Sequence, residues 1–108
     1  MNIGFEAKRV FHNKTGLGNY SRDLIRLLSQ YSPKNNYFLY NPKPSDVKLF
    51  EANNTNVFEK KPASSFYTKF YNLWRQKGVV KDLTKDGVTI FHGLSGEIPR
   101  GLRAKNIK

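Results

Sequence analysis

The sequence predicts an α/β domain, an open and mostly parallel β-sheet with helices on both faces. Three observations point to it. Short apolar runs rich in β-formers alternate with longer segments of helical period, in the order strand, helix, strand, strand, helix, strand. Proline, glycine and asparagine mark the boundaries between these segments. No internal repeat, low-complexity tract or linker divides the 108 residues, so they read as one domain.

Ile3-Gly4-Phe5-Glu6-Ala7 is short and apolar, suited to a buried first strand. A polar, glycine-bearing loop is expected from Lys8 to Gly18. Leu17, Tyr20, Leu24, Leu27, Leu28 and Tyr31 then recur at helical spacing, which predicts a helix reaching about Tyr31 with these residues on one stripe. Asp23 is placed in its first turn, where the helix dipole favours a carboxylate. Pro33 stops the helix, because the residue before a proline is pushed out of the helical region. Tyr37-Phe38-Leu39-Tyr40 reads as the second strand, closed by the turn residues Asn41 to Asp46, and residues 46–52 as a short helix. Asn56 to Glu59 is the third strand. Phe66, Phe70, Leu73 and Trp74, continued by Val80 and Leu83 beyond Gly78, predict one kinked helix or two short ones, with these side chains in the core. Gly87 caps that helix, and Val88 to Phe91 form the fourth strand, ending at His92-Gly93. Residues 100–108 resemble the approach to a further strand that never arrives, so the chain is read as a fragment.

Composition narrows the functional classes. Eight Phe, six Tyr and one Trp supply core material, and the absence of cysteine removes disulfides, thiolate metal sites and cysteine nucleophiles together. No apolar run approaches the roughly 18 residues that span a bilayer, and the N-terminus lacks a basic segment followed by an apolar one, which predicts a cytoplasmic protein. A net charge of +11 favours an anionic partner. The excess is spread evenly along the chain, and its longest basic runs are pairs, Lys8-Arg9 and Lys60-Lys61. That pattern disfavours a nucleic-acid-binding arm, and much of the charge reads as solvated surface.

Thr15-Gly16-Leu17-Gly18-Asn19-Tyr20 lies between the first strand and the first helix, where backbone amides and the positive helix end can receive an anion. A flexible turn is the plainer reading of the same residues. A dinucleotide fingerprint is disfavoured by Ser21 at the third glycine position and Asn41 where an acidic residue belongs, and no Gly-Lys-Ser/Thr makes a P-loop. His92, closing the fourth strand, sits where ligands bind in open α/β sheets, beside Gly93, Ser95, Gly96 and Glu97. His12, in the first loop, belongs to the same edge if the sheet is parallel. A histidine that merely caps a strand explains His92 equally well. Neither histidine has partners at metal-ligand spacing, so no metal is expected. Between Phe66 and Lys77 aromatic and basic residues interleave, and Lys69, Arg75 and Lys77 are candidates to face an anionic membrane.

The segments Ile3 to Arg9, Thr15 to Leu24, and Ile90 to Ser95 with Glu97-Ile98-Pro99 together resemble, in order and spacing, the N-terminal half of bacterial group 1 (GT4-type) glycosyltransferases of the GT-B fold. The resemblance implies a Rossmann-like, acceptor-side domain of a two-domain enzyme. Such an enzyme moves a sugar from a nucleotide-sugar to a glycan or lipid-linked acceptor, with retention of configuration and usually without a metal or other cofactor. It implies that Gly16, Leu17, Gly18 and Asn19 approach the donor diphosphate and that His12, His92, Ser95 and Glu97 line the acceptor side. It further implies a place in cell-surface polysaccharide or glycoconjugate synthesis, peripheral to the inner membrane face. The family's His-Asp element after the next strand and its C-terminal half with paired glutamates have no counterpart here, so the chain alone is expected to be inactive and prone to self-association. The alternative is a small basic module, noncatalytic, that binds nucleic acid or an anionic membrane.

Overall fold

The computed structural model describes residues 1–43, 50, 55–62, 65–94 and 98–108. Four strands, β1 (Asn2–Glu6), β2 (Asn36–Tyr40), β3 (Val57–Lys60) and β4 (Ile90–Gly93), form one sheet in the order β3-β2-β1-β4. Every neighbouring pair is parallel, with Gly4 of β1 opposite Phe38 of β2 and Phe91 of β4. The α/β class and the parallel sheet follow the expected alternation.

Strand side chains alternate between the two faces. Phe5, Tyr37, Leu39 and Val57 form one core with Val10 and Phe11 of α1 (Lys8–His12) and Ile25 of α2 (Gly16–Tyr31). Tyr40, Val88 and Phe91 form another core with residues of the connection from β3 to β4, the second helical crossover among the described residues. That crossover runs through α3 (Ser65–Lys69), α4 (Tyr71–Leu73), a π-helical turn (Trp74–Gly78) and α5 (Val79–Lys85), and it buries Trp74, Val79, Val80 and Leu83. Helices therefore cover both faces, an arrangement compatible with a Rossmann-like fold. No helix among the described residues is long and apolar enough to cross a membrane.

Several elements depart from the sequence reading. The expected first loop contains α1, and α2 begins at Gly16, so the glycine pair lies inside the first helical turn and Asp23 falls well beyond it. The apolar stripe of α2 packs inward only in part: Leu24 and Leu28 are half-buried, Leu28 against the core, and the other four face outward. Leu17, Tyr20, Leu27 and Tyr31 are 57%, 63%, 52% and 75% exposed, while Gly18, Ser21, Arg22, Ile25 and Ser29 are buried. Small residues let the helix lie close to its neighbours, and an alanine Cβ at Gly18 would stand 2.0 Å from the Asn13 carbonyl oxygen. Arg22 fixes the same orientation: its guanidinium donates to the carbonyls of Val10 at 3.0 Å and Asn13 at 2.7 Å and to Asn19 Oδ1 at 2.6 Å. Turning the leucines inward would strip a buried cation of its acceptors.

In the second crossover Trp74 is buried as expected, but Phe66, Phe70 and Leu73 are exposed. The cause is the π turn. The Val79 amide bonds to the Trp74 carbonyl five residues back, so Trp74 with Val79 and Arg75 with Val80 repeat at five and share the inward face. Gly87 does cap α5. With φ of 70° it donates to Thr84 while Val88 donates to Leu83, a Schellman closure sealed by the buried Leu83 and Val88 side chains. That use of Val88 moves β4 to residues 90–93. The short helix expected at 46–52 lies, except for buried Phe50, outside the described residues. At the end of the sequence Ile107 is buried, and Lys108 exchanges backbone bonds with Thr89 and Phe91 on the β4 edge away from β1.

Candidate functional site

A parallel sheet gathers all its strand ends on one edge. Here those ends are Glu6, Tyr40, Lys60 and Gly93. The connection from β1 to α2 leaves from that edge, and Asn13 organises it. Its Oδ1 accepts the Thr15 amide at 2.9 Å, the Thr15 hydroxyl at 2.6 Å and the Gly18 amide at 3.1 Å. A side-chain oxygen thus caps α2 from two residues ahead of Thr15. Asn19 donates its amide to the Thr15 carbonyl.

The four residues expected to meet a diphosphate therefore divide. The amides of Gly18 and Asn19 are already bonded, and the Asn19 side chain is held by Arg22. The amides of Gly16 and Leu17 have no acceptor among the described residues, and a Cβ at Gly16 would meet no atom within 4 Å. Two open donors at the positive end of a 16-residue helix can receive an anionic oxygen.

His12 ends α1, where its Nε2 lies 3.0 Å from Asn41 Oδ1 and 2.7 Å from the Lys43 carbonyl. Two acceptors at one nitrogen place the proton there. Buried Asn41 in turn donates to Glu59 Oε2 at 3.0 Å, and Glu59 pairs with Lys61 at 3.7 Å. A polar chain thus ties the ends of α1, β2 and β3 together. His92 stands at the end of β4, exposed, its ring stacked on Phe5 at 5.7 Å between centroids. Phe5 belongs to the α1–α2 core, so His92 lies on the same face as that connection. Ser95 and Glu97 lie outside the described residues. Among the described residues no three of His, Asp and Glu assemble as metal ligands.

The membrane-facing set also divides. Lys69, over the Phe70 ring at 5.8 Å, and Lys77 are exposed. Arg75 is not: it is buried, and its Nε donates to Glu6 Oε1 at 3.1 Å. The same carboxylate oxygen accepts the Lys8 amide at 3.1 Å. This ion pair bolts the π turn to the carboxyl end of β1, and its solvent-free setting makes each charge dependent on the other.

Sequence reasoning missed Glu6, Asn13, Arg22 and Asn41. Only Asn13 carried a legible signal, an Asn two residues before a Thr at a helix start. The Tyr40 hydroxyl is pushed far above its ordinary value by burial, reinforced by its 2.7 Å bond to Asp86. It holds its proton throughout the neutral range. No protein family, curated protein or solved structure matches this chain.

Proposed function

We propose that this chain is the acceptor-side, Rossmann-like half of a retaining group 1 glycosyltransferase, acting from the cytoplasmic side of a membrane on a nucleotide-sugar. The observation that carries the reading is the pair of amides at Gly16 and Leu17 without an acceptor among the described residues, set at the carboxyl edge of a parallel sheet with His12 and His92 on the same side. A departing nucleoside diphosphate gathers negative charge as the sugar leaves. Fixed N–H donors stabilise that charge as it develops, and one such donor is worth roughly 3 kcal/mol of barrier. In this reading Gly18 shapes the turn, Gly16 and Leu17 meet phosphate oxygens, and His92 faces the acceptor. The family's donor-holding glutamates would come from a second domain, and without them the chain binds donor weakly and transfers nothing.

The test is Gly16→Val in the enzyme that carries this half. The open space at Gly16 accommodates the side chain, so the melting temperature stays near wild type, while the branched side chain keeps phosphate oxygens from the amides and turnover falls by about a hundredfold, the worth of one oxyanion contact. Equal losses in stability and turnover would reduce the turn to a structural element. A second reading, a noncatalytic module on an anionic membrane, draws on the exposed Phe66, Phe70 and Leu73 beside Lys69. Vesicle binding without nucleotide-sugar consumption would favour it.

A further inference from the structure

We propose a second binding site, for a phosphate-bearing ligand, on the outer surface of the second crossover; it is independent of the glycosyltransferase reading. A groove of about 760 Å³ lies there, lined by half-buried Tyr67, by Trp74 at the margin of the core, and by Lys81, Lys85 and Lys105. Lys81 and Lys85 stand one helical turn apart on α5 and so project from one face. Lys105 comes from a separate short 3-10 helix, Arg103–Lys105.

The charge pattern selects the ligand. Among the described residues the ion pairs join Arg26 to Asp23, Lys60 to Asp86, Lys61 to Glu59 and Arg75 to Glu6. Lys81, Lys85 and Lys105 take part in none of them. The acid on the groove wall, Asp82, accepts the Trp74 indole N–H on its Oδ2 at 2.8 Å. Three lysines thus line one groove with a single carboxylate, leaving an excess of positive charge along it. Like charges so placed repel, and a multiply charged anion relieves all three at once. Lysine ammonium groups bind phosphate as point charges without demanding a planar partner. The Tyr67 ring packs over Gly78, where a Cβ would come within 2.8 Å of it. It gives apolar contact to whatever carries the phosphate, a soluble phosphate ester or a lipid headgroup.

The single Trp of the chain makes the site readable, because Trp74 gives the one indole N–H resonance. Titration of the protein with pyrophosphate at constant ionic strength is expected to move that resonance and the Lys81 to Lys85 amides along one saturable curve. The Lys81→Ala/Lys85→Ala/Lys105→Ala variant, altered only at exposed positions, is expected to keep its melting temperature and bind roughly tenfold more weakly. Vesicles of phosphatidylcholine with and without phosphatidic acid form the second arm. Saturable binding of pyrophosphate identifies a soluble ligand. Selective binding of phosphatidic acid vesicles identifies a headgroup, provided the triple variant loses it. The proposal is overturned if sodium chloride alone reproduces the shifts, if the triple variant binds both probes as wild type does, or if pyrophosphate moves only Gly16 and Leu17. That last pattern would leave the carboxyl-edge reading standing while removing this site.

Discussion

The helical crossovers from β1 to β2 and from β3 to β4 solve the same problem, covering one face of a parallel sheet, with opposite materials. The first uses the short α1 and one long regular helix that turns Leu17, Tyr20, Leu27 and Tyr31 outward and packs through Gly18, Ser21, Ile25 and Ser29, oriented by a buried arginine. The second uses a broken helix that buries Trp74, Val79, Val80 and Leu83 and is anchored by the Glu6–Arg75 pair. The difference teaches that apolar period locates a helix without deciding which way it faces. Close approach and the satisfaction of buried charge decide that.

Truncating the core of the second crossover should have the largest effect. Trp74→Ala removes a buried ring and its bond to Asp82, and is expected to cost about 3–5 kcal/mol in denaturant unfolding. Leu27→Ala on the first crossover, at a position 52% exposed, is expected to stay within about 0.5 kcal/mol. Similar costs at the two sites would erase the contrast. The anchor comes next. Glu6→Gln and Arg75→Met each remove one member of a buried ion pair, at about 3–5 kcal/mol apiece, whereas the double variant recovers most of the loss. Additive losses would mean that the two charges act separately.

The glycines sharpen the comparison within the first crossover. Gly18→Ala drives a Cβ into the Asn13 carbonyl and is expected to cost about 1–3 kcal/mol, while Gly16→Ala is neutral or slightly stabilising by helix propensity. Thermal melts of the two variants separate these outcomes. The smallest effect appears only at high pH. Tyr40 keeps its proton in the fold beyond the ordinary tyrosine value of 10.0, because it is buried and bonded to Asp86. Below that value the hydroxyl is protonated in both states, and its contribution is fully present. Above it the unfolded chain ionises while the fold resists, so stability falls as pH rises. Tyr40→Phe should flatten that alkaline limb, measured as melting temperature against pH; an unchanged slope would place the cause elsewhere.

These contrasts also mark what the residues made legible. The order of the strands and of the longer helices could be read, though not α1, because β-prone runs such as Tyr37 to Tyr40 and stops such as Pro33 and Gly87 act locally. The outward face of α2 could not, since Arg22 finds its acceptors only once α1 and Asn13 are in place. Nor could the exposure of Phe66, Phe70 and Leu73 be read, because a π turn shifts the repeat from 3.6 residues to a step of five. At the carboxyl edge, the glycine pair and His12 were legible as residue types near a strand end. Their bonding was not: Asn13 has already claimed one of the glycine amides, and His12 locks the turn after β2.

The central claim is that the first-turn amides of α2 left open by Asn13 receive a nucleotide's phosphates. An amide-resolved NMR titration of this chain with a nucleoside diphosphate at constant ionic strength tests it most directly. Weak, saturable shifts centred on Gly16 and Leu17, retained in the triple lysine variant and lost in Gly16→Val, are the predicted result. Shifts that spare Gly16 and Leu17, or that follow salt concentration across the lysines of the whole surface, would contradict it.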